Sequence, residues 1–273
     1  MAWPASGDWS AWAATWEARM QAFFPHRQQS IEAILTVLVE LLPAGRWRIL
    51  DLGAGTGTLS RALLHRFPTA HVTALDLDPV LMTIGRGALG DGAAERAGHD
   101  TARRHATPDP QAAGAHHPHL TWVQADLRSP DWPARLGDSP SFDAVVSLAT
   151  LHHFSPREVG AIYGQLARLI RPGGLLLNAE GLAAGPPSSR LARCFDEARR
   201  RGSPPPDGWW EAVAADPAFK DAVSEREALR DRMRGAGSNS SAEAHCRALR
   251  RAGFAEAAVA WRYLDEALVV GLR

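Results

Sequence analysis

The chain has 273 residues, 45% hydrophobic and 22% charged, which suits a globular α/β domain carrying an insertion. Its 30 basic residues (Lys220 is the only lysine) balance 30 acidic ones, so no basic footprint argues for nucleic acid as the partner. Two cysteines, Cys194 and Cys246, are too few for a disulfide framework or a cysteine zinc site; with no leader pattern and no apolar run longer than Ile34 to Leu42, a cytoplasmic protein without a membrane partner is expected.

Residues 8 to 24 repeat Trp9, Trp12, Trp16, Met20 and Phe23 at helical spacing, which predicts a helix packed on the main domain or lying over a site as a lid. Pro25 interrupts it, and a second helix is expected from Gln28 to Leu42, ended by Pro43-Ala44-Gly45. Strands and helices then alternate. Strands are expected at Trp47 to Leu52, His71 to Asp76, Leu120 to Ala125 and Phe142 to Leu148, with helices opening at Thr58 and Pro79. Ser155 and Glu158 form a capping box with Pro156 at the first helical position, opening a helix that runs to Ile170. Arg171-Pro172-Gly173-Gly174 then reads as the turn into a fifth strand, Leu175 to Glu180. A second capping box at Ser240 and Glu243 opens the last helix, and Phe254 to Tyr263 and Ala267 to Leu272 follow as a hairpin.

This alternation predicts a doubly wound, mixed sheet covered by helices on both faces. The organisation expected is N-terminal helices over residues 1–45, an α/β core over 46–180, a helical cap over 181–240 and a final helix and hairpin over 241–273. Within the core, residues 87–119 lack apolar periodicity and read as a flexible insertion. His99, His105, His116, His117 and His119 fall there with no zinc spacing, so no metal site is expected.

Chemistry concentrates after the first strand. Ile49-Leu50-Asp51-Leu52-Gly53-Ala54-Gly55-Thr56-Gly57 sets three glycines at alternate positions, where a ligand can approach the main chain closely. Neither register satisfies G-x-G-x-x-G, because Thr58 and Ser60 stand at the sixth positions. Asp51 would attract an ammonium or sulfonium group and repel a pyrophosphate. Asp76 ends the second strand, where a carboxylate accepts hydrogen bonds from ribose hydroxyls. Asp126 ends the third and is placed for an adenine amino group, with Leu77 and Leu127 as apolar walls.

Together these positions resemble the class I S-adenosylmethionine-dependent methyltransferases, from Arg48 to Glu180 and again after Gly253, with the fourth strand ending in the Leu151-His152-His153 variant of its motif. The resemblance implies a Rossmann-like seven-stranded sheet with its last strand antiparallel, and S-adenosylmethionine as cofactor. It implies contacts from Asp51, Gly53, Ala54, Gly55, Gly57, Asp76, Leu77, Asp126, Leu127 and Leu148. Phe24-Pro25-His26-Arg27-Gln28-Gln29 resembles a segment near the cofactor's methionine end, where Arg27 would pair with the carboxylate.

The reaction implied is an in-line methyl displacement, in which the protein aligns the acceptor and removes a proton where the acceptor carries one. His152 is the candidate base, following the fourth strand at the carboxyl edge of the sheet; His153, Glu180 and His245 are further pocket candidates. No [DNS]-P-P-[YFW] motif and no suitably placed cysteine marks a nucleic-acid base methylase. A small-molecule acceptor is therefore expected, admitted near Trp209 and Trp210. Two alternatives stay open: a tRNA-modifying enzyme using a carboxylated S-adenosylmethionine, which a second arginine such as Arg19 or Arg190 would support, and a non-catalytic binder of the cofactor.

Overall fold

Short apolar runs, buried on both faces, build the sheet. In a computed structural model that describes residues 3–92, 117–137, 141–183, 189–202, 208–235 and 240–273, seven strands form one sheet in the order β3-β2-β1-β4-β5-β7-β6. They are β1 (Arg48–Leu52), β2 (His71–Asp76), β3 (Leu120–Gln124), β4 (Phe142–Leu148), β5 (Ile170–Gly181), β6 (Glu256–Tyr263) and β7 (Glu266–Leu272). Neighbours from β3 to β5 pair in parallel, whereas β7 runs antiparallel to both β5 and β6. The strand order reverses between β1 and β4, so the loops leaving these strands diverge and leave a crevice at their carboxyl ends.

Successive residues of each strand face opposite layers. Ile49, Val72, Ala144 and Val146 meet α2 (Arg27–Leu41) and α3 (Thr58–Arg66) through Ile34, Leu38 and Leu63. Leu50, Leu52, Val145 and Leu176 meet α5 (Pro156–Leu169) and α10 (Ala242–Arg251) through Ile162, Leu166 and Leu249. The capping box at Ser155 and Glu158 is formed, with the Ser155 N–H donating to Glu158 Oε2 at 2.7 Å and the Glu158 N–H to Ser155 Oγ at 3.3 Å.

A third cluster joins α1 (Trp9–Phe23) to α4 (Pro79–Leu89) and to the segment after β5. That segment contains α6 (Arg190–Gly202), α7 (Trp209–Ala215), α8 (Lys220–Ala228) and α9 (Arg230–Met233). The Trp12 ring meets Trp209 and Phe219 edge-on, with centroids 6.0 and 5.2 Å away, and Trp209 Nε1 donates to Thr15 Oγ1 at 2.9 Å. The tryptophans spaced along α1 are thus the seam that fixes this helix across the carboxyl edge of the sheet.

Three local expectations differ from the structure. α4 continues through Leu89, inside the stretch expected to be an insertion, because Gly85 and Gly87 leave room for rings: a Cβ on either would lie 2.2 Å from Trp122 or Trp9. Residues 93–116, with His99, His105 and His116, lie outside the described residues. The Arg171–Gly174 stretch is an irregularity within β5, which pairs Ile170 with Phe142 before resuming at Leu175. The last helix is capped by Ser241, whose Oγ accepts from the Ala244 N–H, so no capping box with Glu243 forms; the carbonyl of Ser240 accepts from the Ala183 N–H instead. Among the described residues no helix is long and apolar enough to cross a membrane.

Candidate active site

A cavity of about 520 Å³ occupies the crevice, roofed by α1 and the segment after β5. Its floor is the loop after β1. Gly53, Gly55 and Gly57 take left-handed φ values of 74°, 57° and 80°. A Cβ on Gly53 would lie 2.2 Å from Thr150 Oγ1, so only glycine fits where this loop crosses the end of β4. The N–H groups of Gly53 and Ala54 donate to the Leu75 carbonyl at 2.7 and 3.0 Å, tying the loop to β2.

Of the residues expected to contact a cofactor, Arg27, Gly53, Ala54, Gly55, Asp76, Leu77, Asp126, Leu127 and Leu148 all line this one cavity. Asp51 and Gly57 do not. Asp51 is 1% exposed beneath the loop, accepts from Ser60 Oγ at 2.7 Å and so braces β1 against α3. Burial pushes its carboxyl up to about 7 against the Ser60 hydrogen bond, and the Asp76 charge adds to the rise. Gly57 sits at the entry to α3 as its left-handed cap.

Asp76 accepts from the Gly55 N–H at 2.7 Å and the Asp78 N–H at 2.8 Å, one on each oxygen. Burial pushes it up to about 6, with those N–H groups pulling the other way. Asp126 caps its own loop, accepting from the Arg128 N–H at 2.9 Å, while its other oxygen is 3.7 Å from Arg232 Nε. Arg27 is buried and pairs through Nε with Glu17 at 3.0 Å; Glu17 also accepts from Thr58 Oγ1 at 2.8 Å. One acid of α1 therefore joins the roof to Arg27 and to the helix that follows the glycine loop.

The far wall carries His152, Phe23, Phe24, Met20, Phe154 and Met233. His152 lies on the short 3-10 turn after β4, its backbone N–H donating to Glu180 Oε2 at 2.7 Å and its Nδ1 3.4 Å from the same oxygen. His153 also lines the cavity, but burial first and the neighbouring His152 second push it down to about 4. Glu180 and His245, expected in the pocket, are instead buried behind His152 and are not part of its lining. Trp209 and Trp210 divide: Trp209 is 1% exposed in the seam, whereas Trp210 lines the cavity with the Arg226 guanidinium 3.7 Å above its ring centroid. Arg19 lines the cavity against Phe23, and Arg190 is exposed on α6 away from it. Glu17, Thr150, Arg226 and Met233 were not foreseen; only the tertiary fold brings them to this site. Among the described residues no group of three or more histidine, cysteine or acidic side chains is arranged to hold a metal ion.

A sheet reversing beside a left-handed glycine loop, with an acid at the ends of β2 and β3 and an antiparallel β7, defines a class I methyltransferase fold. Over part of its length the chain is similar to S-adenosylmethionine-dependent methyltransferases, and it shares their fold. A family described as "Methyltransferase domain" matches residues 50–176. The chain is 31% identical over 216 residues to a trans-aconitate 2-methyltransferase of Streptomyces coelicolor, covering 78% of this chain and 58% of that protein. It is 29% identical over 143 residues to a ubiquinone biosynthesis O-methyltransferase of Xylella fastidiosa, covering 52% and 45%. The chain thus spans about half the length of the curated relatives it matches. Two solved structures share the fold: the S-adenosylmethionine-dependent methyltransferase SibL in its apo form (18% identity, 90% of this chain and 55% of that one, TM-score 0.53) and an O-methyltransferase family protein from Burkholderia thailandensis (20%, 97% and 62%, TM-score 0.50).

Proposed function

We propose that the protein binds S-adenosylmethionine in this cavity and transfers its methyl group to a hydroxyl of a small, largely apolar molecule, with His152 taking the proton. The observation that carries this reading is that one cavity is lined both by glycine backbone and acids and by an imidazole with aromatic and methionine side chains.

The glycine backbone and acids suit a cationic nucleoside with an amino-acid tail. Gly53 and Gly55 present bare backbone, and Asp76 is held ready for ribose hydroxyls by two N–H groups. Leu77 and Leu127 would flank the adenine ring beside Asp126, and the Arg27 guanidinium, fixed by Glu17, would face the carboxylate. When bound, the cofactor supplies a methyl group activated by positive sulfur. The chain's own residues then align an acceptor and exclude water: Phe23, Phe24, Met20 and Phe154 give it an apolar bed beside His152. A hydroxyl proton passes to the imidazole as the oxygen attacks. The O-methyltransferase name of the Xylella relative supports an oxygen acceptor. Neither the carboxylated-cofactor reading nor the non-catalytic one finds support in these relatives.

Calorimetry with S-adenosylmethionine and S-adenosylhomocysteine tests cofactor binding, and Asp76→Ala is expected to weaken both at least about tenfold. Tritium transfer from labelled cofactor into a metabolite extract tests methyl transfer. His152→Ala should slow that transfer by about 10²-fold or more, the usual contribution of a positioned base. Unchanged cofactor affinity in Asp76→Ala, or an RNase-sensitive product, would overturn the assignment.

A further inference from the structure

Behind His152 lies a polar chain enclosed in the sheet–helix layer. Glu180 on β5, with a fully buried side chain, receives four groups. Its Oε2 takes the His152 N–H at 2.7 Å and faces His152 Nδ1 at 3.4 Å; its Oε1 takes Asn178 Nδ2 at 2.8 Å and faces His245 Nε2 at 3.8 Å. His245, 2% exposed on α10, is in turn 2.7 Å through Nδ1 from the hydroxyl of Tyr163 on α5, which is also buried. Around the chain, the His153 ring meets His152 at a tilt of 44°, with Arg128 donating to the His153 carbonyl, and Cys246 neighbours Tyr163.

A buried carboxylate with no arginine or lysine paired to it among the described residues is sustained by the hydrogen bonds it accepts. Burial pushes Glu180 up, yet the hydrogen bonding of His152 and Asn178 pulls the other way, and the group lies below its ordinary range. Burial pushes His245 down and Tyr163 up, so one is neutral and the other a phenol. The tautomer of a neutral His245 follows from the charge it faces. A proton on Nε2 points at the carboxylate; a lone pair there would repel it. Nδ1 is then the acceptor, and the Tyr163 hydroxyl must donate to it.

We propose that His245, with its tautomer set by Tyr163, is a positioning residue that keeps Glu180 ionised and thereby holds the proton of His152 on Nδ1, leaving Nε2 as a lone pair towards the acceptor. The proposal rests on the reading of His152 as the base. Nδ1 of His152 is buried without a formed hydrogen bond, Glu180 Oε2 standing 3.4 Å away, while the ring lines the cavity; a proton on Nδ1 would point at that carboxylate and leave Nε2 to the cavity. When Nε2 takes the hydroxyl proton, the imidazolium formed is neutralised by the carboxylate at its back, and no proton need leave the buried chain.

The test needs no acceptor. Long-range proton–nitrogen spectra of the full-length protein labelled with ¹⁵N-histidine, recorded at pH 8, report which nitrogen of each ring is protonated. In the wild type we expect His245 as the Nε2–H form and His152 as the Nδ1–H form, each by about tenfold or more, the ratio that 1.4 kcal/mol gives. His245→Leu removes the N–H that points at Glu180 from 3.8 Å and should weaken the His152 preference for Nδ1–H by about tenfold. His245→Gln keeps an N–H at that place and should restore it. A wild-type His152 protonated on Nε2, a wild-type His245 protonated on Nδ1, or a His245→Leu spectrum with His152 unchanged would each overturn the proposal, and the wild-type spectrum decides even where a variant fails to fold. Calorimetry and tritium transfer read cofactor binding and turnover separately, so failure of the functional reading is distinct from failure of this chain.

Discussion

The carboxyl of Asp51 makes the ligand-free protein sensitive to pH in a calculable direction. Its ordinary value of 3.8 rises to about 7 in the fold because burial beneath the glycine loop penalises the charge, and the Asp76 charge nearby adds to the rise. The folded state therefore binds this proton more tightly than the unfolded chain. Stability from the group is fully present below pH 4 and is lost as pH climbs to about 7, beyond which no more is lost. A rise of about three units at about 1.4 kcal/mol each sets the loss on the order of 4 kcal/mol. Asp76, raised to about 6, contributes in the same sense over a narrower window. Asp51→Asn keeps an oxygen for Ser60 Oγ to donate to while removing the charge. Urea unfolding of both proteins between pH 4 and pH 8 checks this: the wild type should lose several kcal/mol relative to the variant over that range, with most of the difference gained by pH 7. A constant difference between the two proteins across these pH values would refute the argument from burial.

The glycines make opposite forecasts. Gly53→Ala forces a Cβ to 2.2 Å from Thr150 Oγ1 at a left-handed φ of 74°, which should cost about 2 kcal/mol or more in urea unfolding. Gly160→Ala, in α5 with nothing within 4 Å of the added Cβ, should stabilise by about 0.5–1 kcal/mol. Arg27→Ala should weaken S-adenosylhomocysteine about tenfold or more while changing methylthioadenosine, which has no carboxylate, far less; equal losses by calorimetry would remove Arg27 from the carboxylate site.

Elements written by local pattern were legible. β4 spans Phe142–Leu148 as its apolar run predicts, and α5 opens on Ser155, Pro156 and Glu158, whose caps act within four residues. Signals with two meanings misled. The lost apolar periodicity from residue 87 read as the start of an insertion, yet Gly85 and Gly87 admit the Trp122 and Trp9 rings and the helix continues to Leu89. The glycines after Pro172 read as a turn, but pairing to β4 on both sides keeps them inside β5. The residues proposed to hold the cofactor were foreseeable as a cluster because most of them follow strand ends, and nine of them line one cavity. Those proposed for the acceptor were not, because Met20, Phe24, Phe154 and Met233 meet only through the seam of tryptophans between α1 and the later helices.

Glu180 and His245 show what strand parity adds to a motif. Position at the end of β5 alone sends Glu180 to the pocket. Alternation says otherwise: Leu177 and Ala179 pack with the α2 and α3 layer, while Leu176 packs with the α5 and α10 layer. Asn178 and Glu180 share the parity of Leu176 and so turn towards α5 and α10, where Tyr163 and His245 meet them. His152 reaches Glu180 from the other direction because the 3-10 turn after β4 carries its backbone over the carboxylate. His152 thus stands at the cavity wall while Glu180, Tyr163 and His245 are packed in the same apolar layer that stabilises the sheet. Substitutions in that layer are therefore expected to alter the state of His152 without touching either ligand.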